Sequence, residues 1–522
     1  MVAVGSFAPA PPHKAVQMTS PVSSDPNHLL DQFRASLAAD DPIAEICKGL
    51  IGQDIVFDGP FGAKALLYAD YVASGRPLRQ VEDFVASRVL PCYANPHTEA
   101  SFCGTYSTRL RNSARAAIAG LCGADSRHAM IFCGAGATAA LNRLVALLAA
   151  SERIPRPAGR LQFLPALFGA GDGARVRVII GPYEHHSNIL PWRESGAEVV
   201  EIGEASSGGP DMAELSRVLG ESKRARRVIC AFSAASNITG IVTDVVAITR
   251  IVKAAGALMV WDYAGGGPYL PISMTPAPGL EIDAIAISPH KFVGGPASSG
   301  VLVVRRDAVV TTRPVISGGG TVKFVSSLGH DYVDNLEERE EAGTPNYIGD
   351  VRAALVFLIK DAMGLEYVAR RNADLAEQAI GSWHNIDGLE ILGSLTAPRL
   401  PIFSFLIKDP RGDYVHPQLV TRILSDRFGI QARGGCACAG PYAHRLLSIS
   451  PAESERLRCE ILAGNETNKP GFTRLNFSVL MPESKVRFII ESVAALPAVI
   501  EDLRGHYAFN SDSDLFEPRR SG

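Results

Sequence analysis

The sequence predicts an α/β fold: a large domain built on a mostly parallel central sheet, followed by a smaller α+β C-terminal domain. Three observations carry that expectation. Short apolar, β-rich runs alternate with helical stretches through the middle of the chain. The turns after these runs carry Gly, Asn, Asp, His and Lys. A long helical stretch from about Gly349 then leads into a differently patterned second region. Such alternation argues for parallel strands covered by helices on both faces.

The strand-like runs are Met130-Ile-Phe-Cys, Val176-Arg-Val-Ile-Ile, Arg227-Val-Ile-Cys-Ala-Phe, Leu258-Met-Val-Trp-Asp, Ala284-Ile-Ala-Ile-Ser and Gly300-Val-Leu-Val-Val. Helical stretches between them include Ala137 to Ala150 and Val245 to Ala255. Residues 151–174 break the pattern with several Pro and Gly, and are expected to be a surface insertion. Upstream, the pattern is helical from Asp31 to about Gly52 and strand-like near Ala65-Leu-Leu-Tyr. The division expected is a disordered segment over 1–30, an N-terminal segment over 31–95 contributing to the small domain, a large domain over 96–350, the small domain over 351–508 and a flexible tail over 509–522. The small domain should hold a strand near Arg399-Leu-Pro-Ile-Phe and a helix from Pro417 to Phe428.

The 522 residues are 47% hydrophobic and 20% charged, enough for two or three domains with cores needing no staples. The formal charge of −3, from 51 basic and 54 acidic residues, gives no basic surplus for nucleic acid or an anionic membrane. Nine cysteines, scattered and odd in number, do not form a disulfide framework and suit a reducing compartment. The first 28 residues have no signal-length apolar run and no arginine, and no segment stays apolar for about 18 residues. A cytoplasmic protein without a membrane span is expected.

Ligands of open α/β sheets gather at the carboxyl ends of strands. Ser288-Pro-His-Lys291 follows one such end, where a lysine can form an imine with an aldehyde cofactor while Ser288 and His290 hold a phosphate. Asp262 ends another strand and can face a pyridinium N–H, making the ring an electron sink. Gly134-Ala-Gly-Ala-Thr138, with Ala137 and Thr138 opening a helix, suits an anion at a helix N-terminus. Glu184-His185-His186 offers an imidazole to stack on an aromatic cofactor, or a zinc ligand pair; adjacent histidines point apart, and no partners have metal spacing, so no metal is expected. Asn237, in Ser236-Asn-Ile-Thr-Gly240, can hydrogen-bond a phenolic oxygen. Singly, each has an ordinary alternative: a loop lysine, a turn Asp or Asn, a surface His pair. Their joint placement on successive strand ends is what argues for a cofactor site.

With Tyr68-Ala-Asp-Tyr-Val-Ala-Ser, Tyr93-Ala-Asn-Pro-His97, Glu341-Ala-Gly-Thr-Pro-Asn346 and Arg433-Gly-Gly-Cys-Ala-Cys438, this series resembles the fold-type I pyridoxal-phosphate (PLP) enzymes of the class V aminotransferase superfamily. It is most similar to the group II cysteine desulfurases and selenocysteine lyases, from about Tyr68 to Pro482. The resemblance implies that Lys291 carries PLP as a Schiff base, Asp262 pairs with the pyridine nitrogen, His185 stacks on the ring and Asn237 meets its phenolic oxygen. Thr138, Ala137, Ser288 and His290 would hold the phosphate. Thr344 would reach the partner subunit's phosphate, implying a homodimer with shared sites. Arg474 would clamp the substrate carboxylate, with Arg433 and His97 as further substrate contacts. Cys438 matches the persulfide-forming nucleophile, which implies a sulfur-acceptor protein.

Two departures bear on the reaction. The family's glutamine three residues after the pyridine Asp is Gly265 here. The cysteine loop reads Gly-Cys-Ala-Cys, where many relatives have His-His-Cys. The expectation is a carbon–sulfur or carbon–selenium lyase acting on cysteine or a derivative. The alternatives are an aminotransferase or epimerase of an amino acid, or a sulfur transferase like the molybdenum-cofactor sulfurases.

Overall fold

A computed structural model describes residues 25–96, 98–148, 175–464, 469–510 and 514–519. Its centre is a seven-stranded sheet. In chain order the strands are β1 (His128–Cys133), β2 (Val176–Ile180), β3 (Glu198–Glu201), β4 (Arg227–Ser233), β5 (Leu258–Asp262), β6 (Ala284–Ile287) and β7 (Gly300–Arg305). The spatial order is β1-β7-β6-β5-β4-β2-β3. β7 is antiparallel to both neighbours, and the other adjacent pairs are parallel. This is the mostly parallel α/β sheet the alternation predicted, with β3 as an added edge strand.

The apolar runs read continuously because both faces are buried. On one face Met130, Phe132, Phe232, Trp261, Ile285 and Val301 enter one core; on the other, Ile131, Val178, Ala231, Val260, Ala286 and Leu302 enter a second. Period-two alternation therefore separates two cores rather than core from solvent.

The small domain is a four-stranded antiparallel sheet of Leu389–Ile391, Ile402–Ile407, Arg433–Gly435 and Phe472–Asn476. Its core gathers Trp383, Phe403, Phe405 and Phe477, covered by helices Leu365–Trp383, Pro417–Phe428 and Glu483–Arg504.

Four expected boundaries are corrected. The helical stretch after Asp31 is two helices, Leu29–Leu37 and Pro42–Lys48, split where Asp41 accepts a bond from the Ala44 N–H and Pro42 opens the second. Leu29, Leu30, Phe33 and Ile46 bury themselves in the large core, so order begins before residue 31 and this part does not join the small domain. The stretch from Phe61 to Asp70 does so: Leu67–Tyr68 pairs with Ile430–Gln431, Phe61 and Ala69 pack with the small-domain core, and Asp70 meets Arg474 and Arg433. The helix Tyr347–Met363 packs into the large core along its length, so the change of domain falls at Gly364 (φ 76°), not at 351. The tail expected to be flexible from 509 instead forms a hairpin of Tyr507–Asn510 with Leu515–Pro518, closed by Phe509 against Phe516. The 151–174 insertion and residues 1–24 lie outside the described residues.

Candidate active site

The parallel pairing brings the carboxyl ends of β1, β2, β4, β5 and β6 to one edge of the sheet. After β6 the chain turns through Pro289–Lys291, closed by the Lys291 N–H on the Ser288 carbonyl at 3.0 Å. No hydrogen bond or ion pair holds Lys291 Nζ among the described residues. Burial pulls its pKa down to about 8, with Asp262 opposing. An amine that loses its proton so near neutrality is a competent nucleophile.

Asp262 ends β5 beside Ser233 of β4. Its Oδ1 accepts the Ala264 N–H at 2.7 Å, and burial raises its pKa against that bond and the Lys291 charge. Behind it, buried Glu184 ties two strand ends together. It accepts from the Ser233 N–H (2.8 Å), the Ser233 hydroxyl (2.6 Å) and Asn188 Nδ2 (2.7 Å). Burial pushes its pKa up to about 7.

The helix after β1, Gly136–Leu147, begins at Ala135, which has no side chain to cap it. Gly136 adopts φ +57°, and a Cβ there would lie 2.6 Å from His290 Cε1 and 2.7 Å from Ser288 Oγ. Only glycine brings this backbone so close to the Ser288–His290 turn. Ser288 Oγ accepts the Ala137 N–H at 2.9 Å, leaving its own proton free to donate. Thr138 Oγ1 and Ser187 Oγ lie 2.7 Å apart, and the Ser187 N–H donates to His185 Nδ1 at 3.1 Å. Burial, then the Lys291 charge, lowers His185 to about 3 and His290 to about 4. Both imidazoles are neutral at any ordinary pH. The start of a helix, two hydroxyls and a flat uncharged ring thus adjoin the lysine.

Across from the sheet edge, Arg474 and Arg433 are register partners on adjacent strands of the small domain. Asp70 bridges them, at 2.9 Å from Arg474 Nη2 and 2.9 Å from Arg433 Nε. Arg474 Nη1 donates to the Asn237 carbonyl at 3.1 Å, while its buried Nε has no partner among the described residues. A buried guanidinium with an open N–H can take a carboxylate.

The cysteine loop is a turn, closed by the Ala439 N–H on the Cys436 carbonyl at 3.3 Å. Its central residues Ala437 (φ 50°) and Cys438 (φ 55°) are both left-handed without being glycine, which costs about 1–2 kcal/mol each. Cys438 is exposed, Cys436 half-buried. Stored strain of this kind gathers at functional sites.

The structure therefore groups Lys291, Asp262, His185, Asn237, Ala137, Thr138, Ser288 and His290, with Arg474, Arg433 and Cys438 on the facing side. Asn237 differs from expectation: its Nδ2 donates to the Ala437 carbonyl at 2.8 Å. Gly265 packs with its Cα–H face toward Ala235, where a Cβ would meet the carbonyl oxygen at 3.2 Å, so a glutamine would be crowded there. Thr344 is exposed between two anchors, Glu341 on Arg111 (2.6 Å) and Arg115 (2.7 Å), and Asn346 capping the Gly349 N–H. His97 lies outside the described residues. The two adjacent histidines take separate partners, as sequence geometry suggested. Sequence reasoning gave no role to Asp70, Glu184 or Ser187, although Asp70 and Glu184 stand inside the motifs it singled out.

The chain belongs to the class-V aminotransferase family, whose profile matches residues 164–468. It is an enzyme of that family, whose members work with PLP. Among its relatives, a cysteine desulfurase of Pectobacterium atrosepticum is 30% identical over 72% of this chain and 84% of its own length. A probable cysteine desulfurase of Streptomyces coelicolor is 28% identical over 73% of this chain and 85% of its own. The apo structure of a cysteine desulfurase from Thermococcus onnurineus shares the fold, with a TM-score of 0.65 at 23% identity, covering 83% of this chain and 95% of that one. No helix among the described residues is long and apolar enough to cross a membrane.

Proposed function

We propose that the protein is a PLP-dependent cysteine desulfurase-type lyase that removes sulfur from cysteine and receives it on Cys438. Cleavage of the selenium analogue is the same chemistry on a weaker bond. The observation that carries the reading is the pairing of an unpartnered, low-pKa Lys291 with an exposed thiol on a strained turn, both within charge range of Arg474.

The residues present fit the cofactor. The glycine cradle at Gly136, with the Ser288 and Thr138 hydroxyls and the amides of the helix start, suits its phosphate. Asp262 suits its ring nitrogen, and neutral His185 suits its face. Bound through Lys291, PLP supplies an electron sink for bonds at the substrate's Cα. Asn237 would meet the ring's phenolic oxygen with the amide proton that Ala437 does not take.

The chain's own residues do the rest. Arg474, through its open Nε, orients the substrate carboxylate, and Arg433 adds charge at the entrance. Lys291, once free, moves a proton at the substrate carbons. The Cys438 thiolate attacks the substrate sulfur. The carbon–sulfur bond breaks with its electron pair left on carbon, which takes a proton, so the products are alanine and a persulfide on Cys438. A second thiol, on an acceptor protein, would take the outer sulfur. Exposed Thr344, held from both sides, supports a homodimer in which it reaches the partner's cofactor phosphate. Nine free thiols support a reducing, cytoplasmic setting.

The test is turnover of cysteine by the holoenzyme. Equimolar alanine and sulfide in the presence of a thiol are expected, with a persulfide on Cys438 by mass spectrometry. C438A should keep the absorbance near about 420 nm of lysine-bound PLP and form no persulfide. Undiminished sulfide release from C438A would remove the persulfide role; a keto acid product in place of alanine would make the protein an aminotransferase.

A further inference from the structure

His185 and His186 are consecutive, yet they serve opposite walls of the site. His185 faces Ser187 and the Lys291 side. The His186 N–H donates to the Cys438 carbonyl at 2.8 Å, and its Nε2 accepts the Gly440 N–H at 2.9 Å. One residue therefore grips the cysteine turn at Cys438 and again at Gly440, just past its end. Asn237 adds a third bond, to the Ala437 carbonyl, while its own carbonyl holds Arg474.

All three bonds cross from strand ends of the large sheet to the small-domain loop. The loop needs them. Ala439, at the N-cap of Gly440–Leu446, has no side chain to satisfy the helix's first N–H groups, and His186 supplies the acceptor. Two consecutive left-handed non-glycine residues persist only when their surroundings over-determine them. A Cβ at Gly440 would stand 3.1 Å from His186 Nε2, so the approach is close. Burial, then Arg193, lowers the His186 pKa, which keeps Nε2 an acceptor.

We propose that His186 is a positioning residue that docks the Cys438 turn against the cofactor wall, so that sulfur transfer to Cys438 depends on it while cofactor binding does not. The proposal rests on the desulfurase reading, which it deepens. His185 and His186 together would then lock the spacing between the ring and the thiol, since neighbouring residues of one short turn cannot drift apart.

The experiment compares H186A, H186Q and wild type as holoenzymes. Three quantities are read: the absorbance near about 420 nm, the single-turnover rate of Cys438 persulfide formation from cysteine, and the rate of Cys438 alkylation by iodoacetamide without substrate. In H186A the absorbance should persist, persulfide formation should fall by up to ~10²-fold as expected for an ångström-scale misplacement, and alkylation should quicken as the turn loosens. H186Q, which restores a side-chain acceptor, should recover much of the wild-type rate. Wild-type persulfide formation and alkylation in H186A would overturn the proposal. So would loss of the absorbance in both variants, which marks general damage to the fold. If wild type itself forms no persulfide, the desulfurase reading fails, and an unchanged alkylation rate in H186A would then overturn the docking role separately.

Discussion

Lys291 and Cys438 both lie in the field of Arg474, but their surroundings differ in kind. Lys291 stands on a short turn directly after a fully buried strand, closed by its own backbone bond. Its neighbours Asp262, Ser233 and Glu184 are fixed by strand register and buried hydrogen bonds. Cys438 stands on an exposed, strained turn held by residues roughly two hundred positions away in sequence, Asn237 among them. The cofactor wall is rigid because the sheet is rigid. The thiol wall has its own turn bond and, beyond that, is held by docking against the large sheet. Under the proposed reaction, a nucleophile that visits the substrate and then an acceptor needs such an exposed, releasable mount, whereas a cofactor anchor does not.

The largest effect expected falls on the rigid wall. K291A should abolish the absorbance near about 420 nm and lower turnover by ~10²–10⁴-fold or more, since on the proposed reading it removes both the covalent anchor and the proton carrier. Persistence of the absorbance at that wavelength would show that another amine holds the cofactor. Next is the clamp between the walls. R474K removes a buried guanidinium fork and should raise KM for cysteine by ~10- to 100-fold. R433K should matter much less, because the Arg433 side chain is 52% exposed. Equal effects from the two would place the carboxylate nearer the entrance. Steady-state kinetics decides.

The contrast also explains what the sequence revealed. Six of the strands announce themselves because each is a mostly apolar run, and the proposed cofactor residues sit at the ends of five of them. The edge strand Glu198–Glu201 escaped, since Glu-Val-Val-Glu is short and only half-buried. The partnership of Asp70 with Arg474 joins positions 404 apart, and no local pattern encodes it. The boundary at 351 failed because Tyr347–Met363 is buried nearly all round, so its sequence does not say which core it enters. Cys438 was legible as a residue by resemblance. Its strain, and its hold by His186, exist only in three dimensions.

A smaller effect probes the floor beneath the rigid wall. Buried Lys360 donates to the Gly267 and Leu270 carbonyls at 2.7 and 2.5 Å, holding the loop that follows Asp262. Burial lowers its pKa to about 7. Its folded pKa is thus below its unfolded one, so the unfolded chain binds more protons above pH 7, and stability should rise with pH from about 7 toward 9. The slope attributable to Lys360 is at most ~1.4 kcal/mol per pH unit. Denaturant titrations at pH 7, 8 and 9 should find it in wild type and not in K360M; identical slopes would mean that burial does not lower the Lys360 pKa and the amine keeps its proton through this range.

The smallest effect expected belongs to the strained turn. Glycine at 437 adopts φ 50° without a Cβ clash, so A437G should stabilise the protein by up to about 1 kcal/mol, the relief being offset in part by the freer unfolded chain. The same substitution lets the turn leave its docked geometry more easily, so persulfide formation should slow even as the melting temperature rises. Opposite signs in the two measurements would mean that strain at the turn is kept for its geometry. A destabilised A437G would mean that the left-handed pair is not strained, and the distinction drawn between the two walls would lose its energetic basis.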